Sequence, residues 1–270
     1  MTAVRAAPAM THERVRWRAV AVPSEHGGWG LTLEPVLLGL LVGFSGAGVA
    51  IGTATFLAFM VRTPLKLALI DRRRRRALPR TRLAWRIAFG ELVALVGAVG
   101  LAVAAAGWTW MVPLAVATPL FAVELWFDVR SRGRRLVPEL CGAIGITAAA
   151  AAIAIAGGEP AALAVAVWAV LASRALASIP FVRTQIRRLR HDTTVSTADG
   201  FQVAAVLAAV GATVIDHRVV VGAGAVVLVT LVQAAALRRP VPPAKILGLR
   251  QMAMGLAVVA ATATGVLTLS

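Results

Sequence analysis

Nine apolar runs of about membrane-spanning length recur along the chain, and the loops between them alternate between strongly basic and nearly neutral. No other feature narrows the fold as far. The hydrocarbon layer of a bilayer is about 30 Å thick and an α-helix rises about 1.5 Å per residue, so one span takes roughly 20 apolar residues. The runs cover residues 29–45, 49–70, 83–106, 108–127, 136–156, 161–181, 200–215, 219–237 and 246–269. The first and seventh are short, and Arg62, Pro64 and Lys66 interrupt the second near its end. The expected fold is all-α, a polytopic membrane bundle of about nine transmembrane helices. Only 15% of the 270 residues are charged and 59% are hydrophobic, too little polar surface for a soluble helical protein of this length.

The charges sit where topology predicts them. Basic residues collect in short cytoplasmic loops of membrane proteins. Here the leader carries Arg5, Arg14, Arg16 and Arg18, and the second, fourth, sixth and eighth loops read DRRRRRALPRTR, DVRSRGRR, RTQIRRLR and RRPVPPAK. The turns between them, GFSGAG, the one at Gly107, GGEP and DHR, are nearly uncharged. This alternation predicts a cytoplasmic amino end, an external carboxyl end and placement in the cytoplasmic membrane. It also accounts for the net charge of +16 through orientation and anionic headgroups, with no nucleic-acid role. Membrane lipids are the expected partners, and the oligomeric state is left open. Residues 1–28 read as a cytoplasmic basic leader with an interfacial end, and 29–270 as one transmembrane helical domain. No secretory signal is expected, because the first 30 residues are polar and basic; the first apolar run stays in the protein. The turns on the neutral side are short enough that neighbouring helices pair as antiparallel hairpins. The lone Cys141 excludes an internal disulfide and reads as packing. The four histidines lack metal-binding spacing, so no metal site and no cofactor are expected.

An ionisable group inside an apolar run faces the bundle interior or a cavity, because lipid does not solvate it. Glu25 and His26, in PSEHGGWG, read either as an acid/base pair or as part of an interfacial segment anchored by Trp29. Glu34 lies further into the first run and is followed by Pro35, which suits a kink. Arg62 and Lys66 are four residues apart and share a helix face, as an anion site or as side chains snorkelling to headgroups. Glu91 is deep in the third run, near Arg86 in sequence, and needs a tertiary partner: Arg62, Lys66 or Arg174. Glu124 and Asp128 also share a face, as a paired-carboxylate site or as partners of the arginines at 130–135. Pro138 and Glu139 suit a helix amino terminus. Arg174 lies deeper than the basic cluster that follows it. The Asp216–Arg218 stretch reads as a solvated turn. Runs seven to nine hold almost no interior ionisable residue, so a site is expected in the first two thirds of the chain.

The segment PSEHGGWGLTLEPVLLG, residues 23–39, resembles the amino-terminal signature of the YwiC-like family of bacterial multi-pass membrane proteins, Pro-x-Glu/Gln-His-Gly-x-Trp. A more distant likeness is to the UbiA superfamily of intramembrane prenyltransferases, whose fold has nine membrane helices and an active site open to the cytoplasm. The stretch TPLFAVELWFDVRSRGRRLVPELCG, residues 118–142, is similar to that superfamily's fourth and fifth helices. Arg134 and Arg135 stand for its basic pair, with Glu139 and Gly142 in the places of a Gln and a Gly. The superfamily's Asn-Asp-x-x-Asp-x-x-x-Asp motif, which holds magnesium, is replaced here by RTPLKLALID, with Arg62 and Lys66 at acidic places and Ile70 at the last. The region ASRALASIPFVRTQ is basic as well. The resemblance therefore implies either direct binding of an anionic group by arginine and lysine or a fold without transferase chemistry.

Four functions compete at this stage. The first is binding of a lipid-like ligand with an anionic head in a basic pocket of Arg62, Lys66, Arg86 and Arg174 backed by Glu124 and Asp128. The others are a small-solute permease, a prenyltransferase using other carboxylates, and a structural or assembly factor in which Glu25, His26 and Glu124 are interhelical glue.

Overall fold

The computed structural model describes residues 17–23, 26–75, 78–130, 135–190 and 198–269, without the side chains of Arg18, Ala19, His26, Gly27 and Val129. Among the described residues all regular structure is helical. A short α1 (Trp17–Ala21) precedes nine longer helices: α2 (His26–Val42), α3 (Gly46–Arg73), α4 (Pro79–Ala106), α5 (Val112–Val129), α6 (Leu136–Ala156), α7 (Ala161–Leu189), α8 (Ala198–Ile215), α9 (Val220–Leu237) and α10 (Ala244–Thr268). They correspond one to one with the nine apolar runs. The largest difference is α7, which continues past residue 181 to Leu189, with Arg187 and Arg188 in a last turn where cations suit the helix dipole. The interruption expected at Arg62, Pro64 and Lys66 is absent: α3 runs through all three.

Among the described residues, eight helices are long and apolar enough to cross a bilayer. The exception is α2, whose 17 residues span about 25 Å. It lies inside the bundle, against α6, α10, α3 and α7, with Leu38 fully buried and Glu34, Val36 and Val42 nearly so. A helix enclosed by protein has no need to match the lipid thickness alone.

The tight α2–α6 contact follows from small residues. Gly39 on α2 and Gly43, four residues later and the first residue after that helix, face Ala150, Ile153 and Ala154 of α6 and Gly157, the residue that follows α6. A Cβ on Gly39 would lie 2.7 Å from Cβ of Ile153 and 3.0 Å from the Ala150 carbonyl oxygen. Small residues at this spacing let backbones touch, and dispersion then holds helices together where lipid supplies no hydrophobic drive. The alanine-rich stretch 148–154 of α6 is almost completely buried for the same reason. By contrast Phe89, Val93, Val96 and Leu101 of α4, and Val203, Leu207 and Val214 of α8, are exposed, as lipid-facing surfaces are.

Contacts at the helix ends sort the loops into two sides. Near the neutral turns, Gly43 touches Gly157 and Arg218 approaches Glu159 at 3.9 Å. Near the basic loops, Arg183 pairs with Glu139 at 2.7 Å, and Arg188 donates to the carbonyls of Leu237 and Arg239 that close α9. The α3–α4 hairpin is fastened at its neck by Asp71, which is buried and accepts from Thr81 at 2.7 Å and from Arg80. Val20 of α1 packs on Ala68 and Ala84 of this hairpin, so the end of the basic leader lies on the bundle.

Candidate functional site

The ionisable residues singled out in the sequence fall into two groups. The first joins α3 to α5. Arg62 and Lys66 project from one face of α3, Glu124 and Asp128 from one face of α5, and the two i, i+4 pairs interlock. Nη1 of Arg62 lies 2.7 Å from Oε1 of Glu124. Its Nη2 and Nε donate to Oδ2 of Asp128 at 2.7 and 3.3 Å, and Nζ of Lys66 donates to Oδ1 at 3.1 Å. The carboxylates are the sheltered members: the Asp128 side chain is 9% exposed, against 41% for Arg62 and 44% for Lys66. Glu124 lies on Gly142 of α6, where any Cβ would collide with its carboxyl group. Both carboxylates thus pair across the bundle with α3; of the arginines that follow, Arg132 and Arg134 lie outside the described residues. Of the described ones, Arg130 stacks on Trp126, 3.3 Å from its ring centroid.

The PSEHGGW segment borders this group. Phe59 precedes Arg62 by one helical turn, and Trp29 packs edge-on against it with centroids 5.2 Å apart. The Trp29 indole N–H donates to the carbonyl of Pro23 at 3.3 Å, which folds the chain ahead of α2 back onto that helix. His26 opens α2; Glu25 lies outside the described residues.

Two expectations change. The four cations expected in one pocket do not share it: Arg62 and Lys66 face Glu124 and Asp128, Arg174 lies in the second group, and Arg86 is exposed on α4. Glu91 is paired with none of the three cations expected for it: Arg62 and Lys66 bind the α5 carboxylates and Arg174 binds Glu34. Its Oε2 is buried without a hydrogen-bond partner. Glu91 stands 12 residues into α4 and Arg62 11 residues before the end of α3, about 17 Å from the hairpin neck in each case.

The second group ties α2, α7, α9 and α10 together in the middle of the bundle. Nη2 of Arg174 lies 3.0 Å from Oε1 of Glu34, both side chains 4% exposed, and donates to the backbone carbonyl of Gln251 at 2.7 Å. Gln233 donates to Oγ of Ser178 and to Oε1 of Gln251, each at 3.3 Å. Gly255 of α10 leaves the space for this pair; a Cβ there would overlap Glu34 and approach Nη2 of Arg174 to 2.5 Å. The last three runs, which hold almost no interior ionisable residue, contribute the neutral amides of Gln233 and Gln251 to this group. They escape a search for ionisable groups because they are neutral. An amide inside an apolar run is nevertheless a signal, since its hydrogen bonds need partners.

At the neutral end, the Asp216–Arg218 turn is tied more tightly than a solvated one. Asp216 accepts from the backbone N–H of Arg218 at 3.0 Å and from its guanidinium at 3.0 and 2.8 Å. The guanidinium hydrogen bonds hold the Asp216 carboxyl below its ordinary value near 3.8, with partial burial opposing them. A carboxyl lowered in this way stabilises the fold fully above its unfolded value and loses that contribution as pH falls through the folded one. Asp216→Asn is therefore expected to lower the thermal unfolding temperature in detergent at pH 7, with the gap to wild type narrowing below about pH 4.

Among the described residues, no three His, Cys, Asp or Glu side chains come together to hold a metal ion. No curated protein and no solved structure matches the chain. A model of the YwiC-like protein family matches residues 22–156, half of the chain. The match takes in the PSEHGGW segment, α2 to α6, and the whole of the first charge group. It contains Glu34 but ends before Arg174. On this match the protein belongs to the YwiC-like family of membrane proteins.

Proposed function

We propose that the protein lies in the cytoplasmic membrane with its basic end in the cytoplasm, and that it binds a lipid-like molecule with an anionic head at Arg62 and Lys66. One observation carries this reading: deep in α3, two cations stay nearly half exposed while the carboxylates that steady them are sheltered. In lipid an exposed cation is costly unless an anion or headgroup meets it. α3 packs mainly on α4 and α6, and α5 mainly on α6, so long polar side chains bridge α3 and α5 at this level. Glu124 and Asp128 orient the guanidinium and ammonium in advance, which lowers the ordering cost of binding. A phosphate or carboxylate head would meet the exposed positive charge of Arg62 and Lys66.

The test is native mass spectrometry of the detergent-purified protein. Loss of a charge-assisted hydrogen bond costs about 1.5–3 kcal/mol, so Arg62→Ala and Lys66→Ala should each lower the occupancy of a copurified anionic amphiphile roughly tenfold or more. Arg86→Ala, on the exposed face of α4, should leave it unchanged. The pair Arg62→Gln with Glu124→Gln keeps the charge balance and serves if the single variants misfold; it too should lose the ligand. Retention in all of these variants would remove the assignment.

A further inference from the structure

The central group of α2, α7, α9 and α10 contains two polar atoms with no hydrogen-bond partner among the described residues. Nε of Arg174 is buried and donates to nothing, and Oε1 of Gln233, a fully buried residue, accepts from nothing. Both side chains touch Gln251, Arg174 at its backbone carbonyl and Gln233 at its side-chain amide. Gln233 also reaches Ser178, one helical turn from Arg174. The unpaired N–H and the unpaired carbonyl therefore belong to one small neighbourhood.

An amide reversal does not repair the deficit. Turning over the Gln233 side chain would let its oxygen accept from the Ser178 hydroxyl, and its nitrogen would then be the unpaired end. One donor on Arg174 and one amide end on Gln233 stay open either way. Orphaned buried groups of this kind are costly in a low-dielectric interior and are met in proteins by bound water, which both donates and accepts. The charges of Glu34 and Arg174 balance, so the site has no call for an ion.

We infer that the centre of the bundle holds an internal water site, in which water accepts from Nε of Arg174 and pairs with the open amide end of Gln233. The route toward the basic end follows one stripe of α7: Arg174, Ser178, Phe181, Gln185 and Arg188, spaced four, three, four and three residues apart. Phe181 is buried in the middle of it, between polar neighbours on either side.

Water-edited solid-state NMR of the full-length protein in bilayers, with 15N-labelled arginine, tests this directly. The Arg174 Nε resonance is assigned by its disappearance in Arg174→Lys. Magnetisation from water should reach it, as it reaches Nε of Arg74, exposed in the basic loop after α3. No transfer to Arg174 Nε, with transfer to Arg74 intact, would overturn the inference. Gln233→Leu removes the open amide end and should cut the transfer to Arg174 Nε. Undiminished transfer in a folded Gln233→Leu protein would overturn the shared site. If that variant does not fold, the wild-type measurement decides alone. The outcome is independent of whether Arg62 and Lys66 bind a ligand.

Discussion

Glu34→Leu is expected to be among the most damaging single substitutions in the bundle, and more damaging than Arg174→Met. The two residues form one buried ion pair at the middle of the helices, and removing either partner of such a pair costs about 3–5 kcal/mol. The two losses are not symmetric. A carboxylate stranded in an apolar interior can neutralise itself by taking up a proton, whereas a guanidinium stays charged. Arg174 would keep its bond to the Gln251 carbonyl but lose the charge that faces it. The double variant Glu34→Leu with Arg174→Met removes both charges and should recover most of the loss, because well-packed apolar replacements of buried pairs are commonly neutral or stabilising. Thermal or denaturant unfolding in one detergent checks the order: double variant near wild type, Arg174→Met lower, Glu34→Leu lowest. A double variant as unstable as the sum of the singles would show that the pair is not the unit of interaction.

The second large effect concerns the contact of α2 with α6. Gly157→Ala would place a Cβ 2.7 Å from the carbonyl carbon of Gly43 and 2.8 Å from its Cα. Those are backbone atoms with no rotamer to change, so α2 has to move away from α6. Overpacking of this kind costs about 1–3 kcal/mol, and here the shift also propagates along α2 toward Glu34. The comparison is Gly97→Ala on α4, where an added Cβ meets no atom within 4 Å. Replacing that glycine inside a helix should be neutral or add about 0.5–1 kcal/mol. Unfolding temperatures that fall in Gly157→Ala and hold or rise in Gly97→Ala are the expected pattern; equal behaviour would mean that the α2–α6 approach is looser than the structure has it.

The two substitutions also show how unevenly the site could be read from the chain. Arg62 with Lys66, and Glu124 with Asp128, are visible as same-face pairs because a helix repeats every 3.6 residues. That one pair meets the other is invisible, since the groups are more than 60 residues apart and helix packing alone brings them together. Arg174 stood out as deeper than the basic cluster that follows it, but its partner lay 140 positions earlier, on a helix too short to span the membrane alone. Glu91 was equally conspicuous, and the structure gives its Oε2 no hydrogen-bond partner. Gly39 and Gly43 carried a readable close-packing spacing, and Gln233 and Gln251 a readable polar interruption; both signals sit among residues without charge.

What the sequence by itself determined is the set of nine helices and the sorting of their loops into a basic and a neutral side. Those features follow from how each segment partitions between lipid and water, a property that belongs to the segment alone. Only the tertiary structure decided that α2 lies inside, that the cations of α3 are countered by α5, and that Glu34, Arg174, Gln233 and Gln251 form one polar centre. Those outcomes depend on which helix faces touch, and that is set by small residues and interhelical hydrogen bonds acting between distant parts of the chain.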